Sequence, residues 1–238
     1  MKTLFTILLT LTVVHPTPPR ADADHEHVHE HIGDAVMALP IFDAHMHYSE
    51  RAWEPVPPKA VLRRMDDSGV AMALVSSTPD DGTIRLLEYA PNRIVPELRP
   101  YHGDADSRNW ARHPGMLGYL TERLAAYPHE GIGEFHLHRV GIEDLTLLRQ
   151  VAALAAEHDI LIHIHSGKGP VELLYDMQPD LRIIWAHAGM VEPASVVESM
   201  VARYDKLYAD ASYRETDIVV DEGGVDSGWR RGGGGVRG

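Results

Sequence analysis

The chain of 238 residues contains no cysteine. This absence excludes disulfide bonds, thiolate zinc sites and cysteine nucleophiles in one step. Any metal ion would have to be bound by histidine, aspartate and glutamate, a nitrogen and oxygen ligand set that suits Zn, Mn, Fe or Co. The 16 histidines of the chain make such a site worth seeking.

Positive charge is scarce, since 22 Lys and Arg face 35 Asp and Glu and leave a formal net charge of −13. Nucleic acids and anionic membranes select basic surfaces, so this balance argues against both as partners. We expect a small-molecule substrate instead, and the sequence leaves the oligomeric state open. The length and the 44% hydrophobic content suit one domain with a sizeable core.

The N-terminal segment lacks an apolar run long enough for a membrane anchor. Lys2 precedes an apolar run over residues 4–14, and prolines and Ala21-Asp22-Ala23 follow. About 11 apolar residues are too few to span a bilayer, which needs ~20. The layout predicts a secretory signal peptide over residues 1–23, and therefore a secreted or periplasmic protein.

Two further segments lack the pattern of a folded domain. Residues 24–39 form a His-rich leader in which histidines alternate with acids, starting Asp24-His25-Glu26-His27. We expect a solvated, disordered leader, and delivery of a divalent ion to the protein is the alternative. Residues 221–238 are rich in Gly and Arg and predict a disordered tail. Truncation or a change of reading frame explains that composition more simply than an Arg/Gly nucleic-acid tail.

Residues 40–220 alternate short β-rich runs with amphipathic helices. Strands are expected near 41–45, 70–76, 93–98, 131–136, 160–165, 181–187 and 207–211, and helices near 58–68, 82–90, 115–127, 143–157, 169–176 and 193–204. This alternation predicts an α/β fold with parallel strands. A doubly wound open sheet also fits, but its nucleotide-binding version carries a Gly-rich turn where this chain has His-x-His.

Five of the apolar runs end in a histidine or an acid, a position at which α/β barrels build their active sites. His45 and His47 are two apart on one strand, so both imidazoles project to the same side and can bind one ion. The other polar ends are Glu134, His165, His187 and Asp210. The pattern predicts a metal centre assembled from separate strands.

Three neighbouring residues are expected to contact a metal ligand or the substrate. His163 has the same facing as His165, behind which we place it, and His136 shares a face with Glu134. Arg214 follows the seventh strand, where it either reaches the substrate from the rim or is a solvated loop residue.

The ordered motifs resemble the amidohydrolase superfamily, and most closely its amidohydrolase-related and TatD-like branches. They are His45-Met46-His47, Gly131-Ile132-Gly133-Glu134, His163-Ile164-His165-Ser166-Gly167 and His187-Ala188-Gly189. The resemblance covers about residues 40–230. It implies a (β/α)8 TIM-barrel type of fold, here incomplete, with about seven strands and the eighth missing. An unclosed barrel would leave the first and seventh strands as unpaired edges.

The resemblance also implies roles for these residues. His45 and His47 would hold the more buried ion and Glu134 would bridge. His165 and His187 would hold a second ion, or His187 would act on water and substrate in a one-metal variant. Glu134 and His187 are thus the implied catalytic residues. The cofactor would be one or two divalent ions, zinc first, with Mn, Fe or Co as alternatives, and it would lower the pKa of its water from ~15.7 to ~7.

The family's proton-transfer carboxylate, an Asp that ends the eighth strand, has no counterpart in this sequence. Asp210 is interpreted as an extra polar strand end rather than its replacement. The sequence predicts an exported metal-dependent hydrolase of an amide, ester, lactone or phosphoester bond, impaired by that loss. The alternatives are a non-catalytic periplasmic divalent-metal-binding protein, or a decarboxylase of the same superfamily.

Overall fold

A computed structural model describes residues 40–213, which form a seven-stranded parallel sheet covered by helices. The strand order in the sheet follows the chain, and every neighbouring pair is parallel. The predicted signal peptide, the His-rich leader and the Gly/Arg-rich tail lie outside the described residues.

The seven predicted strands are present, with small differences at their ends. They are β1 (Ile41–His47), β2 (Val70–Ser76), β3 (Ile94–Leu98), β4 (Gly131–His136), β5 (Leu161–His165), β6 (Ile183–Trp185) and β7 (Leu207–Ala209). The sixth strand ends two residues earlier than expected, because Ala186–Gly189 form a 3-10 turn. In that turn His187 has a φ of 55°, which takes its side chain out of the strand's alternation.

Seven helices connect the strands. They are α1 (Glu50–Trp53), α2 (Pro58–Asp67), α3 (Asp81–Tyr89), α4 (Met116–Ala126), α5 (Leu145–Glu157), α6 (Lys168–Met177) and α7 (Ala194–Arg203). The six longer helices match the predicted segments, whereas α1 and a 3-10 turn at Trp110–Arg112 were not predicted. None of the helices within residues 40–213 is long and apolar enough to cross a membrane.

The main core lies between the sheet and the helices α4 to α7. On β5 the fully buried Ile162 and Ile164 belong to this core, so the period-2 alternation places His163 and His165 on the opposite face. On β4 the buried Phe135 packs against Trp110, with ring centroids 4.5 Å apart. The outer face of each strand is thus fixed by apolar packing, which leaves polar side chains on the inner face.

The sheet curls until the ends of its first and last strands meet. Nδ1 of His45, on β1, lies 3.1 Å from Oδ2 of Asp210, the residue after β7. Within the described part of the chain, β1 pairs only with β2 and β7 only with β6. The sheet is therefore a curled half-barrel, consistent with an incomplete TIM-like barrel.

Among residues 40–213, the side chains on the inside of the curled sheet leave an open cavity, in contrast to the packed interior of a closed barrel. The cavity has a volume of about 790 Å³, and its lining includes Phe42, Ile94, Leu161, Ile184 and Tyr208. Phe42 and Tyr208 lie on the two edge strands and are each more than half exposed. The cavity reaches Asp210, and so adjoins the polar cluster at the strand ends.

Candidate metal centre

The carboxyl ends of five strands bring a cluster of imidazoles and carboxylates together. Because all strands are parallel, their carboxyl ends share one edge of the sheet, and the curl turns that edge into a ring. The side chains of the cluster are His45, His47, Glu134, His163, His165, His187 and Asp210.

Glu134 lies at the middle of this cluster and is 2% exposed. Its Oε2 lies 3.1 Å from Nε2 of His47 and 3.6 Å from Nε2 of His45. Its Oε1 lies 2.9 Å from Nδ1 of His165 and 3.5 Å from Nε2 of His187. Each carboxylate oxygen of Glu134 therefore faces two imidazoles. This geometry is expected when one carboxylate lies between two pairs of metal-binding histidines.

Asp210 forms a second carboxylate contact within the cluster. Its Oδ2 lies 3.1 Å from Nδ1 of His45 and 3.5 Å from Nε2 of His163. The 3.5 Å approach lacks hydrogen-bond geometry, so His163 Nε2 is buried without a hydrogen-bond partner. A buried imidazole nitrogen costs free energy when it is unpaired, and a metal ion beside it would satisfy it.

The cluster contains three groups of residues that are positioned to hold a metal ion. In each group the ligand atoms lie within 4.8 Å of one another. The groups are His45 with His47 and Glu134; Glu134 with His165 and His187; and His45 with His163 and Asp210. His45 and Glu134 each belong to two groups, so the arrangement can accommodate one ion or two. Its nitrogen and oxygen donors are those of zinc and related divalent ions.

The two carboxylates are ionised because histidines surround them. Burial by itself would raise the pKa of Glu134, but contacts with His165, His187, His45 and His47 outweigh it and hold that pKa far below its ordinary range. The pKa of Asp210 is lowered in the same way, against the effect of burial, by contacts with His163 and His45.

The histidines show the complementary effect. Burial lowers the pKa of His45, but its contacts with Asp210 and Glu134 are together stronger and raise it to about 9. Burial likewise opposes the charged form of His163, yet Glu97 and Asp210 raise its pKa to about 10. In the metal-free chain, the protons on these histidines thus supply positive charge that balances the buried carboxylates. A bound metal cation would supply that charge instead.

Residues around the cluster fix the orientation of its imidazoles. Nδ1 of His187 donates to the backbone oxygen of Ser212 at 2.7 Å, so Nε2 is the nitrogen that faces Oε1 of Glu134, at 3.5 Å. Nδ1 of His47 lies 2.9 Å from Oγ of Ser76. Such hydrogen bonds on the far nitrogen set the tautomer and ring orientation of metal-binding histidines.

β3 supplies two charged residues that the sequence analysis did not identify. Nε of Arg99 donates to the backbone oxygen of Glu134 at 2.9 Å, and its guanidinium lies 3.0 Å from Oε2 of the same residue. Glu97, 1% exposed, lies 3.1 Å from Nδ1 of His163. The sequence signal was present as Glu97-Leu98-Arg99, two charged residues at the end of an apolar strand.

The structure brings together the five residues that the sequence predicts as metal ligands. They are His45, His47, Glu134, His165 and His187. His136 lies beside them, and its ring stacks on that of His165 with centroids 4.3 Å apart. Arg214 lies outside the described residues.

His163 lies elsewhere than predicted, and Asp210, predicted as an extra polar strand end, takes part in the cluster. His163 is inside the cluster rather than behind His165, and its ring centroid is 4.5 Å from that of His45. Residues two apart on β5 share a face but stand at different heights, so His163 reaches deeper, towards β1 and β7. Asp210 belongs to the cluster as well, because the curl of the sheet brings the end of β7 against β1.

A scan against models of known protein families finds no match for this chain, and a search of the curated proteins finds none either. The chain is an α/β protein with a curled, all-parallel half-barrel and a His/Glu/Asp cluster, placed to hold metal, at the carboxyl edge of its strands.

Proposed function

We propose that this protein is a divalent-metal-dependent hydrolase of the amidohydrolase type, built on an incomplete (β/α)8 barrel. The observation that carries the proposal is the position of Glu134, with both carboxylate oxygens shared among four imidazoles at the carboxyl edge of the sheet. The order of motifs along the chain supports the same class. The proposed substrate is a small molecule with an amide, ester, lactone or phosphoester bond.

We propose that His45, His47 and Glu134 hold one ion, and that Glu134, His165 and His187 hold a second. Zinc is the ion we expect first, since four of these five donors are imidazoles and the fifth is a carboxylate. When bound, such an ion supplies a water of low pKa and polarises the scissile bond.

Asp210 is our proposed proton-transfer carboxylate, the group that the sequence analysis finds missing. The curl of the seven-stranded sheet brings the carboxylate that follows β7 within reach of His45, a proposed ligand on β1, although the two strands do not pair. Both oxygens of Glu134 already face imidazoles, and Arg99 holds one of them. We propose that Asp210 takes a proton from water and passes it to the leaving group, because it is the second ionised carboxylate of the cluster and Glu134 is assigned as a ligand of both ions.

We place this enzyme outside the cytoplasm, in the periplasm or the medium. The support is the predicted signal peptide over residues 1–23.

The test is metal-dependent turnover by the purified chain. Because the leader histidines can bind zinc themselves, the assays use a leader-substituted chain, in which His25, His27, His29 and His31 are all replaced by alanine. This chain is loaded with zinc and assayed on panels of esters, amides, lactones and phosphoesters. We expect turnover that chelation abolishes and zinc restores.

Two variants link this turnover to the cluster. His45→Ala and Glu134→Ala each remove a proposed ligand, and we expect more than about 100-fold loss of activity, since even residues that only orient ligands cost 10–100-fold. The matched control is His158→Ala, which removes an exposed imidazole after α5 and leaves the cluster intact. Tight zinc binding with no turnover on any panel would contradict the hydrolase proposal and favour a metal-binding protein.

A further inference from the structure

His136 lies at the rim of the proposed metal centre without being one of its ligands. It ends β4 and is paired in register with His165 of β5. Their rings stack, with centroids 4.3 Å apart and planes 25° from parallel. The ring of His136 is thus held against a proposed ligand and can reach a molecule bound there.

Tyr101 determines which nitrogen of His136 carries the proton. The backbone N–H of His136 donates to Oη of Tyr101 at 2.8 Å, and the same oxygen lies 2.9 Å from Nδ1 of His136. Tyr101 is 5% exposed, and its hydroxyl has no other hydrogen-bond partner among residues 40–213. A buried hydroxyl must place its proton on an acceptor, so Tyr101 donates to Nδ1, and Nε2 carries the ring's hydrogen.

Arg99 fixes this arrangement from the other side. Its guanidinium carbon lies 4.8 Å from the centre of the Tyr101 ring, a cation–π contact, while its nitrogens hold Glu134. The hydroxyl that orients His136 is therefore tied to the same arginine that positions the central carboxylate.

Nε2 of His136 makes no hydrogen bond with any residue that the structure describes, and it is not enclosed by protein atoms. The exposed His138 lies next to it, with ring centroids 5.6 Å apart, and no carboxylate oxygen of residues 40–213 lies within ion-pair distance of either imidazole, since Glu134 acts on His136 only through its charge. The imidazoles of the cluster itself all lie within 3.5 Å of a carboxylate oxygen. The imidazoles of His136 and His138 at the rim can thus still donate an N–H hydrogen bond to an oxygen atom of a bound molecule.

We infer that Nε2–H of His136, supported by His138, binds an anionic oxygen of the substrate beside the proposed metal centre. This inference rests on the proposed function and specifies its substrate class, a molecule with a carboxylate or phosphate group near the scissile bond. Tyr101 is a positioning residue in this account, because it acts only through the tautomer of His136.

The first measurement reads the tautomer directly in the metal-free chain. Nitrogen-15 chemical shifts of His136 distinguish a ring protonated on Nε2 from one protonated on Nδ1. We expect the Nε2–H form in the wild type and a mixture of both forms in Tyr101→Phe. An Nδ1–H form in the wild type overturns the inference, whether or not the chain turns over any substrate.

The second measurement is titration of the zinc-loaded, leader-substituted chain with acetate and with inorganic phosphate. His136→Phe keeps a ring of similar size without donors, and we expect at least a tenfold loss of affinity for the anion that binds more tightly. His136→Gln, whose amide nitrogen can take the place of Nε2, should restore affinity to within threefold. If the affinity for acetate falls in His136→Phe, the substrate carries a carboxylate, and if the affinity for phosphate falls, it carries a phosphate.

Equal affinity of the wild type and His136→Phe for both anions overturns the inference, provided that circular dichroism shows the variant folded. If His136→Phe is unfolded, His136→Gln and Tyr101→Phe are compared instead. Their affinities for the more tightly bound anion must then differ from each other by more than threefold. If the chain binds no zinc, the proposed function fails. The inference about His136 is then tested by the same titration on the metal-free chain, in which anion affinity must still fall in His136→Phe.

Discussion

Replacement of Asp210 by asparagine tests the least expected part of the site. The substitution keeps the size of the side chain and removes its charge. Oδ2 of Asp210 lies 3.1 Å from Nδ1 of His45 and accepts from the backbone nitrogen of His187 at 3.2 Å. An amide can keep the backbone hydrogen bond, but it no longer offers His45 a negative charge.

The magnitude follows from two independent considerations. A hydrogen bond to a charged group contributes about 1.5–3 kcal/mol. Loss of a residue that orients a metal ligand reduces metal affinity by about 10–100-fold, which corresponds to roughly 1.4–2.8 kcal/mol. Both considerations predict that zinc affinity of Asp210→Asn falls by about 10–100-fold. At saturating zinc, the activity should still be lower by about 100-fold or more, because the proposed proton acceptor is gone.

The assay is chelator competition for zinc in the leader-substituted chain, followed by kinetics at saturating zinc. Asp205→Asn is the matched control, since Asp205 is exposed in the turn before β7 and the same charge is removed. We expect the control to behave as the parent chain. If the zinc affinity of Asp210→Asn lies within twofold of that of the parent chain, the claim that Asp210 supports the proposed metal ligand His45 is refuted.

Three further predictions follow from the described contacts. Zinc affinity should rise from pH 7 to pH 9, because zinc must displace the proton that the proposed ligand His45 holds with a pKa of about 9; chelator competition at several pH values measures this. Asp80→Asn removes the carboxylate that binds Arg123 at 2.7 Å and is 0% exposed, so unfolding free energy should fall by about 3 kcal/mol in chemical denaturation while zinc affinity stays unchanged. Gly189→Ala should lower the thermal midpoint, because Gly189 has a φ of 76° and an added Cβ would collide with the ring of Trp185.

Each of these predictions has a result that contradicts it. A zinc affinity independent of pH would mean that His45 is already neutral in the metal-free chain. A large loss of zinc affinity in Asp80→Asn would connect that buried pair to the metal centre. An unchanged thermal midpoint for Gly189→Ala would show that the turn after β6 relaxes without cost.

The strands and the longer helices could be predicted because local pattern determines them. Leu148, Val151 and Ala155 recur at helical spacing, and all three are buried on the inner face of α5. The short helix α1 has only four residues, too few for a periodicity. Tertiary hydrogen bonds accompany it instead, such as the one from the backbone N–H of Glu50 to the backbone oxygen of Thr78 at 3.1 Å.

The site was predictable where strand ends alone decide it. His45, His47, Glu134, His165 and His187 each lie within two residues of the carboxyl end of a strand, so parallel pairing is enough to bring them together. The position of Asp210 depends instead on how far the sheet curls, which no single segment of sequence encodes.

Tyr101 and Arg99 were missed for a related reason. They act through hydrogen bonds and ring contacts with residues of β4, some 35 positions later in the chain. Their sequence neighbourhood shows only a strand end followed by polar residues, a pattern shared by many loops. Such pairings become visible only when the neighbouring strand is in place.

The central claim is that the cluster around Glu134 binds a divalent ion, and zinc titration of the leader-substituted chain tests it most directly. We predict one or two tightly bound zinc ions per chain, lost in Glu134→Gln and retained in the control His158→Ala. The zinc-loaded chain should show nitrogen and oxygen neighbours at about 2.0–2.2 Å by X-ray absorption. Absence of tight zinc binding in the leader-substituted chain, or equal binding by Glu134→Gln, would contradict the claim.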